Sequence, residues 1–314
     1  MKNQEKGIHA FFTKFSTDEK CRAYLEHQRW GNIVHCPFCF KPDKIYKFRN
    51  NKTYKCGLCK LNFSVVKGTI FERSHIPLTK WFIAIYLFAS HKKGISSHQI
   101  AKDIDITQAN AWFMLQRIRY AMNHCEDFRK VMSGVIEVDE TYIGGKNKNR
   151  HWDKKVPNSQ GRSLADKSVV FGILTRGGGI LTYNPKQLPK VGLQALIRSR
   201  VAPGSIVNTD EFLVYKGLHN YFEHGVVQHG KSQYCIGDYH TNSIEGFWSW
   251  VKRSIFGIYH NVSKKHLMRY CREISFRYNQ RSKGNEEIFD DNLLLCFDCR
   301  LMYKELIASP KRLQ

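Results

Sequence analysis

The sequence is short of acidic residues. Its 314 residues include 27 Asp and Glu against 50 Lys and Arg, which gives a formal net charge of +23 at pH 7. An excess of this size indicates a polyanionic partner, because Lys and Arg neutralise phosphates and release counterions. Since the basic residues are spread over the whole chain, nucleic acid is the first interpretation, and an anionic membrane surface is the alternative.

The sequence also lacks a long apolar run. The longest, Trp81–Ala89, is too short to span a bilayer, so the membrane alternative gains no support. The first residues, MKNQEKGIHAFF, lack the apolar core of a signal peptide. Without an export signal, ten cysteines are expected to be thiols or metal ligands rather than disulfides. We therefore expect a cytoplasmic protein with no membrane partner. Its 42% apolar residues are ordinary for a globular chain, and its length allows two or three domains.

Two C-x-x-C pairs stand in the first quarter of the chain. Cys36 and Cys39 form one, Cys56 and Cys59 the other, and sixteen residues separate the pairs. Residues 44–48 and 53–55 between them read as a hairpin. This spacing is typical of a four-cysteine zinc ribbon, and two redox or incidental pairs are the alternative. Four thiolates leave no open coordination position, so the predicted Zn²⁺ is structural.

The next stretch predicts a helix-turn-helix. A strongly apolar helix over Pro77–Ser90 is followed by a helix over 94–104, a turn, and a second helix over Gln108–Met122 that Thr107 caps. The alternative is an ordinary three-helix bundle that links two domains. For DNA binding, the second helix offers early residues to base edges and late ones to phosphates. The predicted DNA contacts are Gln108, Asn110, Arg117 and Arg119.

From Ser133 the pattern changes to strands. Val135–Ile143 is rich in β-branched residues, Ser168–Arg176 and Ile180–Tyr183 form a hairpin through Gly177–Gly179, and a helix follows over 190–201. Short strands over 205–210 and 222–229 and a helix from Thr241 to about Phe256 complete the series. Three strands, helix, strand, helix, strand, helix is the order of a ribonuclease H-like core.

Carboxylates fall where this core would gather them. Asp139 lies in the first strand, Asp210 ends its own strand, and Glu245 lies on the following helix. Three converging carboxylates repel one another unless cations lie between them, and oxygen ligands suit two Mg²⁺ or Mn²⁺ ions. Asn242 and Lys252 share the helical face of Glu245, and Lys252 is placed to hold a phosphate. By strand alternation Glu137 lies on the face of Asp139 and Glu140 on the other. Strand pairing or orientation is the interpretation for both and for Glu211, but the role of Glu137 stays open because it shares the face of Asp139.

At these residues the sequence resembles the zinc-ribbon DDE transposases of bacterial insertion sequences, the ISXO2-like family, which is related to the eukaryotic Merlin elements. The resemblance covers nearly the whole chain. Its motifs are the two C-x-x-C pairs, Gly68-Thr69-Ile70-Phe71 with His75-Ile76-Pro77-Leu78 and Trp81, Trp112–Leu115 with Arg117-Ile118-Arg119, Val138–Gly145, Thr209-Asp210, and Asn242–Ser249 with Lys252-Arg253.

The resemblance implies roles for several of these residues. Asp139, Asp210 and Glu245 correspond to the DDE acids and Lys252 to the trailing lysine. The family's third residue is Asn, Glu or His, so Asn242 stays an alternative to Glu245. We prefer Glu245, because a carboxylate offsets metal charge. Further DNA contacts are expected in the basic segment after the catalytic strand and beside Lys252: Lys146, Lys148, Arg150 and Arg253.

These observations together predict an α+β multidomain protein. The expected parts are an N-terminal helix and zinc ribbon (1–72), a helix-turn-helix domain (73–130), an α/β ribonuclease H-like catalytic core (131–282) and a C-terminal helical tail (283–314). The expected function is a metal-dependent transposase. It would bind the terminal inverted repeats of its element and cut and join DNA as a homodimer or higher synaptic assembly, in association with a bacterial nucleoid. A DNA-binding regulator without catalysis and another ribonuclease H-like nuclease are the alternatives.

Overall fold

The computed structural model describes residues 7–123, 130–144, 147, 150–157, 165, 167–185, 192–227 and 237–308. They divide into two compact units. Unit 1 consists of the described residues within Met1–Cys125 and Lys283–Gln314, and unit 2 consists of the described residues within Glu126–Ser282. Residues after 282, expected to form a separate tail, therefore belong to the same unit as the ribbon and the helices that follow it. None of the described helices is long and apolar enough to cross a membrane.

Unit 1 begins with two helices where the sequence predicted one N-terminal helix. Helix α1 spans Ile8–Lys14 and helix α2 spans Asp18–Trp30. The chain breaks between them because Thr17 takes an extended conformation and its side-chain oxygen accepts the Lys20 N–H at 3.3 Å, as an N-cap does.

The ribbon contains the predicted hairpin and one further strand. Strand β1 (Ile45–Lys47) pairs antiparallel with β2 (Tyr54–Cys56), and β2 pairs with a short β3 (Asn62–Phe63). Tyr54 stacks on Phe63, and Trp30 of α2 packs edge-on against Tyr54. These contacts fix the ribbon on the end of α2.

The remaining helices of unit 1 come from both ends of the chain. Helices α3 (Leu78–Ser90), α4 (Ser97–Asp103) and α5 (Gln108–Met122) match the predicted bounds closely. The predicted cap is confirmed, since Thr107 accepts the Asn110 N–H. Helices α9 (Asn285–Leu295) and α10 (Tyr303–Ile307) complete the unit, and Phe289 of α9 packs against Phe11, Phe15 and Phe82.

Unit 2 is built on a five-stranded mixed sheet. Its strands are β4 (Val135–Ile143), β5 (Ser168–Thr175), β6 (Ile180–Tyr183), β7 (Ile206–Asp210) and β8 (Glu223–Val227), in the order β6-β5-β4-β7-β8. Strand β5 pairs antiparallel with both β4 and β6, and β7 pairs parallel with both β4 and β8. This strand order confirms the predicted ribonuclease H-like core, although two short 3-10 turns, Leu213–Tyr215 and Leu218–Asn220, stand where a helix was expected between β7 and β8.

Helices cover both faces of this sheet. Ile136 and Val138 of β4 point to the face covered by α6 (Gly192–Arg200), where they pack with Ile197. Ile143 and Val170 point to the opposite face, covered by α7 (Asn242–Ser254) and α8 (Leu267–Asn279). After Ser254 the chain continues as a π-helical turn over Ile255–Tyr259. Because strand side chains alternate, Glu137 and Asp139 lie on the face of α7.

Candidate active site and metal centres

Three carboxylates meet at the open edge of strand β4. Oxygen atoms of Asp139, Glu140 and Asp210 all lie within 4.8 Å of one another. The fold explains why they converge: β4 pairs with β7 only through Glu137, and β7 ends at Asp210. Beyond this point none of the described strands pairs with β4 on that side, and side chains from both of its faces reach the same space.

Asp139 is held in a poorly solvated position. Burial raises the pKa of Asp139 to about 7, and the charges of Glu140 and Asp210 act in the same direction. The indole Nε1 of Trp248 donates to its Oδ2 at 3.0 Å. Trp248 comes this close because Gly172, the register partner of Asp139 on β5, leaves room: a Cβ there would lie 2.7 Å from the indole ring. The sequence motif contained Trp248 but gave no sign of this contact.

Glu140 was expected to serve strand pairing, and the structure brings it into the acid cluster. The Tyr215 hydroxyl donates to its Oε2 at 2.8 Å. Burial, followed by the neighbouring Glu140 charge, raises the pKa of Tyr215 well above its ordinary value, so the phenol remains a donor. This hydrogen bond orients Glu140 from the opposite face of the sheet to Trp248.

Helix α7 presents the remaining expected catalytic side chains on one exposed face. Asn242, Glu245 and Lys252 are all exposed and recur at helical spacing, as the sequence predicted. Glu245 accepts a hydrogen bond from the Thr241 hydroxyl at 2.8 Å. The three clustered carboxylates do not include Glu245. Helix α7 lies beside the cluster, with Trp248 bonded to Asp139, and Glu245 and Asn242 stand on its exposed face.

Glu137, whose role was open, is a buried residue that connects strand β4 to helix α7. It is fully buried, its Oε1 accepts from Arg176 Nε at 3.0 Å, and its Oε2 accepts the Ile244 N–H at 3.0 Å. Arg176 also donates to the backbone carbonyls of Asp238 and His240, just before α7. Glu137 therefore fastens the start of α7 to the strand that carries Asp139.

The four predicted zinc ligands form a compact cluster in unit 1. The Sγ atoms of Cys36 and Cys59 are 3.6 Å apart, and those of Cys39 and Cys56 are 3.7 Å apart. Four thiolates bound to zinc at ~2.3 Å in a tetrahedron are separated by ~3.8 Å, so the cluster fits the ion. The Cys59 N–H donates to Cys56 Sγ, and this contact is the main reason that the pKa of Cys56 falls to about 7. A lowered thiol pKa favours the thiolate that zinc requires.

Two of the predicted DNA contacts are corrected by the structure. Arg117 and Arg119 are buried, because α9 and the segment after it cover the second half of α5. Arg117 donates to the carbonyl oxygens of Leu301 at 3.2 Å and Ile70 at 2.8 Å, and it lies over the Phe113 ring. Arg117 is therefore a structural residue of unit 1, and neither arginine is exposed to a phosphate.

The other predicted contacts lie on the surface where they are described. Gln108 and Asn110 are exposed at the start of α5, and Gln108 donates to Ser97 of α4 at 2.8 Å. Arg253 is exposed and Arg150 is half-buried. Lys146 and Lys148 lie outside the described residues.

A further C-x-x-C pair near the end of the chain, Cys296 and Cys299, consists of buried thiols. Their Sγ atoms lie near the Asn292 and Leu295 carbonyl oxygens, and burial raises the pKa of Cys299 to about 12. Within the described part of the chain, neither belongs to a group of possible metal ligands. Both serve packing.

A ribonuclease H-like sheet with clustered acids, in a chain that also carries a four-cysteine ribbon, defines a DDE transposase. The model of the ISXO2-like transposase domain matches residues 131–279, and that of the transposase zinc-ribbon domain matches residues 16–62. The chain belongs to the ISXO2-like transposase family.

Two curated proteins are similar to this chain. The "Uncharacterized protein in transposable element ISH50" of Halobacterium salinarum is 28% identical over 284 residues, which cover 87% of this chain and 95% of the relative. An "Uncharacterized transposase-like protein" of Haemophilus influenzae is 32% identical over 88 residues, which cover 28% of this chain and 70% of the relative.

Solved structures of the Mos1 transposase show partial similarity to this chain. The "Crystal structure of the Mos1 Strand Transfer Complex" is 13% identical, covers 67% of this chain and 77% of its own, and gives a TM-score of 0.21. The "Crystal structure of a pre-cleavage Mos1 transpososome" is 14% identical and gives 0.20 over 67% and 78% of the two chains. The assignment of the fold rests on the order of the strands in the sheet.

Proposed function

We propose that this protein is an active transposase that cuts the ends of an insertion sequence and joins them to target DNA. The observation that carries the proposal is the meeting of Asp139, Glu140 and Asp210 within 4.8 Å at an open sheet edge. Like charges this close and partly buried are costly, and a bound divalent cation offsets them. The donor set, all carboxylate oxygen, suits Mg²⁺ or Mn²⁺.

The acid cluster would hold the metal ions, and Glu245 would complete the site from α7. Metal ions held by these carboxylates would supply the activation of a water or 3′-hydroxyl and the stabilisation of the leaving oxygen of a phosphodiester. The chain's own residues position these parts. Trp248 and Tyr215 orient Asp139 and Glu140, and the exposed Lys252 lies two turns after Glu245 on the same helical face, where it holds a DNA phosphate.

The DNA itself is bound by other parts of the chain. The net charge of +23 supports a nucleic-acid partner, and Gln108 and Asn110 are exposed at the start of a helix-turn-helix second helix. We propose that this helix and the ribbon recognise the terminal repeats. We further propose a homodimer or larger synaptic assembly, which brings two ends together and works in the nucleoid.

Incubation of the purified protein with Mg²⁺ and DNA that carries the repeats flanking its gene tests the proposal. Asp139→Asn and Asp210→Asn are expected to abolish both cleavage and joining. Glu211→Gln is the matched control, because Glu211 is exposed and adjacent to Asp210 but outside the cluster. Undiminished cleavage by either Asp variant would sink the proposal.

Two outcomes would favour the alternatives. Tight, sequence-specific DNA binding without any Mg²⁺- or Mn²⁺-dependent cutting would indicate a regulator. Cutting of branched DNA without strand joining would indicate another nuclease with the same fold.

A further inference from the structure

A small basic cavity of about 220 Å³ lies in unit 2 where strand β4 ends. Apolar side chains from β4, from the π-helical turn and from the start of α8 form one side of it. Three cationic or titratable side chains, Arg150, His260 and Lys264, line it as well, and none of the described lining residues is acidic. An anionic ligand with an apolar part fits this lining.

The backbone at its rim is unusual in two respects. Helix α7 changes there to π-helical hydrogen bonding over Ile255–Tyr259. His260 follows with φ 57° and ψ −52°, and the Asn261 N–H donates to the Tyr259 carbonyl at 2.6 Å. This is a γ-turn of the rare, strained form, in a residue other than glycine. π-helical turns and backbone strain are both frequent at functional sites.

The cavity lies along strand β4, which carries Asp139 and Glu140 of the acid cluster, and along helix α7, which carries Glu245. On β4, Asp139 and Ile143 point to the same face and are four residues apart, which corresponds to ~13 Å. On α7, Glu245 and Ile255 are ten residues apart, which corresponds to ~15 Å. The exposed Lys252 lies between them. A strand bound at the acids and at Lys252 would therefore reach the cavity about four nucleotide steps away.

We propose that this cavity receives one unpaired nucleotide of the DNA strand, close to the phosphate that is cut. Its base would lie against Phe256, whose ring is 45% exposed, and its sugar-phosphate would lie against Arg150 and Lys264. Bases of any type stack on aromatic rings, and the cavity is too small for a duplex. The position of the nucleotide relative to the cut rests on the proposed function; the cavity's affinity for single-stranded DNA does not.

Binding of a short fluorescein-labelled oligodeoxythymidylate to the full-length protein, without added Mg²⁺, tests the cavity itself. Phe256→Ala and Lys264→Ala are each expected to weaken this binding by about five- to fiftyfold. The matched controls are Tyr221→Ala, whose ring is 47% exposed elsewhere in unit 2, and Lys265→Ala, which is exposed but does not line the cavity. Both controls should bind like the wild type.

Equal losses of affinity in the cavity variants and the control variants would overturn the proposal, since exposed charge or aromatic content in general would then explain the binding. Unchanged affinity in all four variants would also overturn it. Thermal melts of all four variants identify any that fail to fold. Binding of the same oligodeoxythymidylate paired with its complementary strand should change little in the cavity variants. All of its bases are paired, so none is free to enter the cavity.

A second measurement locates the nucleotide. 2-Aminopurine placed singly at each position within about five nucleotides of the cut should brighten at one position in the wild type, and Phe256→Ala should abolish the increase. Brightening at every position or at none contradicts the proposal. If cavity variants lose oligonucleotide affinity while the wild type cuts no DNA, the proposed function fails and the cavity stands. If the wild type cuts DNA and the cavity variants bind normally, the cavity alone fails.

Discussion

The carboxylate of Glu137 accepts the backbone N–H of Ile244 at 3.0 Å, although 107 residues separate them in the chain. Ile244 is the third residue of α7, where an N-cap side chain normally accepts a hydrogen bond. Thr241, the residue before this helix, makes no such bond and instead donates to Glu245. A strand side chain thus caps the helix that carries the catalytic face.

Removal of this cap should destabilise unit 2. Glu137→Ala leaves the Ile244 N–H without its acceptor and removes the carboxylate partner of Arg176, and loss of one partner of a buried ion pair costs about 3–5 kcal/mol. Arg176 is partly exposed, so the lower end is expected. Urea unfolding followed by tryptophan fluorescence measures the loss. Glu211→Ala, at an exposed position, should stay within about 0.5 kcal/mol of the wild type; a similar loss there would contradict the role of Glu137.

Asp139 should make the metal-free protein less stable at higher pH. Burial raises the pKa of Asp139 from 3.8 to about 7, so its neutral form favours folding below the unfolded pKa and this contribution is lost as the pH rises through 7. Asp139→Asn removes the buried charge, and its melting temperature at about pH 8 without metal should exceed that of the wild type. At about pH 5 the difference should shrink. Mg²⁺ should raise the melting temperature of the wild type alone, and the opposite pH trend would exclude this explanation.

Three variants separate the candidates for the remaining ligand. Glu140→Gln should weaken Mn²⁺ binding, measured by calorimetry, because Glu140 lies within the acid cluster. Glu245→Gln should reduce cleavage by more than about 100-fold, since loss of a group that only orients a metal ligand already costs up to that factor. Asn242→Ala should reduce cleavage far less. If Asn242→Ala is the more damaging of the two α7 changes, the amide and not the carboxylate completes the site.

Zinc should be required for the fold of the ribbon in unit 1 and not for the fold of unit 2. Cys36→Ser is expected to lower the zinc content, measured by mass spectrometry, from one ion per chain towards none and to open the ribbon to protease. Cys296→Ser is the control, because Cys296 is equally buried but outside the cluster. A full zinc content in Cys36→Ser would refute the assignment.

The two halves of α5 should respond differently to substitution. Asn110→Ala should weaken binding of terminal-repeat DNA and leave the melting temperature unchanged, because Asn110 is exposed. Arg117→Ala should lower the melting temperature, because Arg117 bonds two carbonyl oxygens in the interior. Loss of DNA affinity in a fully stable Arg117→Ala protein would restore Arg117 as a DNA contact.

Local signals in the sequence were sufficient for much of the fold. The C-x-x-C spacing predicted the four-cysteine cluster, and the glycines at 177–179 predicted the β5–β6 hairpin. Helical spacing correctly put Asn242, Glu245 and Lys252 on one face. Each of these features depends on residues close together in the chain.

Features that depend on distant contacts could not be predicted. Helical spacing cannot show that Arg117 is buried and donates to the carbonyl oxygen of Leu301, 184 residues later in the chain. Alternation put Glu140 on the face away from Asp139, but the pairing of β4 with β7 ends at Glu137, and both carboxylates reach the same space. The use of Glu137 as a cap required the position of α7 to be known.

The return of the chain to unit 1 affects the order in which the protein can fold during synthesis. Phe289 fills the aromatic cluster of Phe11, Phe15 and Phe82, yet it leaves the ribosome after all of unit 2. The nascent amino-terminal segment must therefore wait, with an unfinished apolar surface, while unit 2 emerges and folds. A ribosome that stalls or stops before α9 releases a chain with a complete sheet and acid cluster but an incomplete partner unit, which is a target for chaperones and proteases.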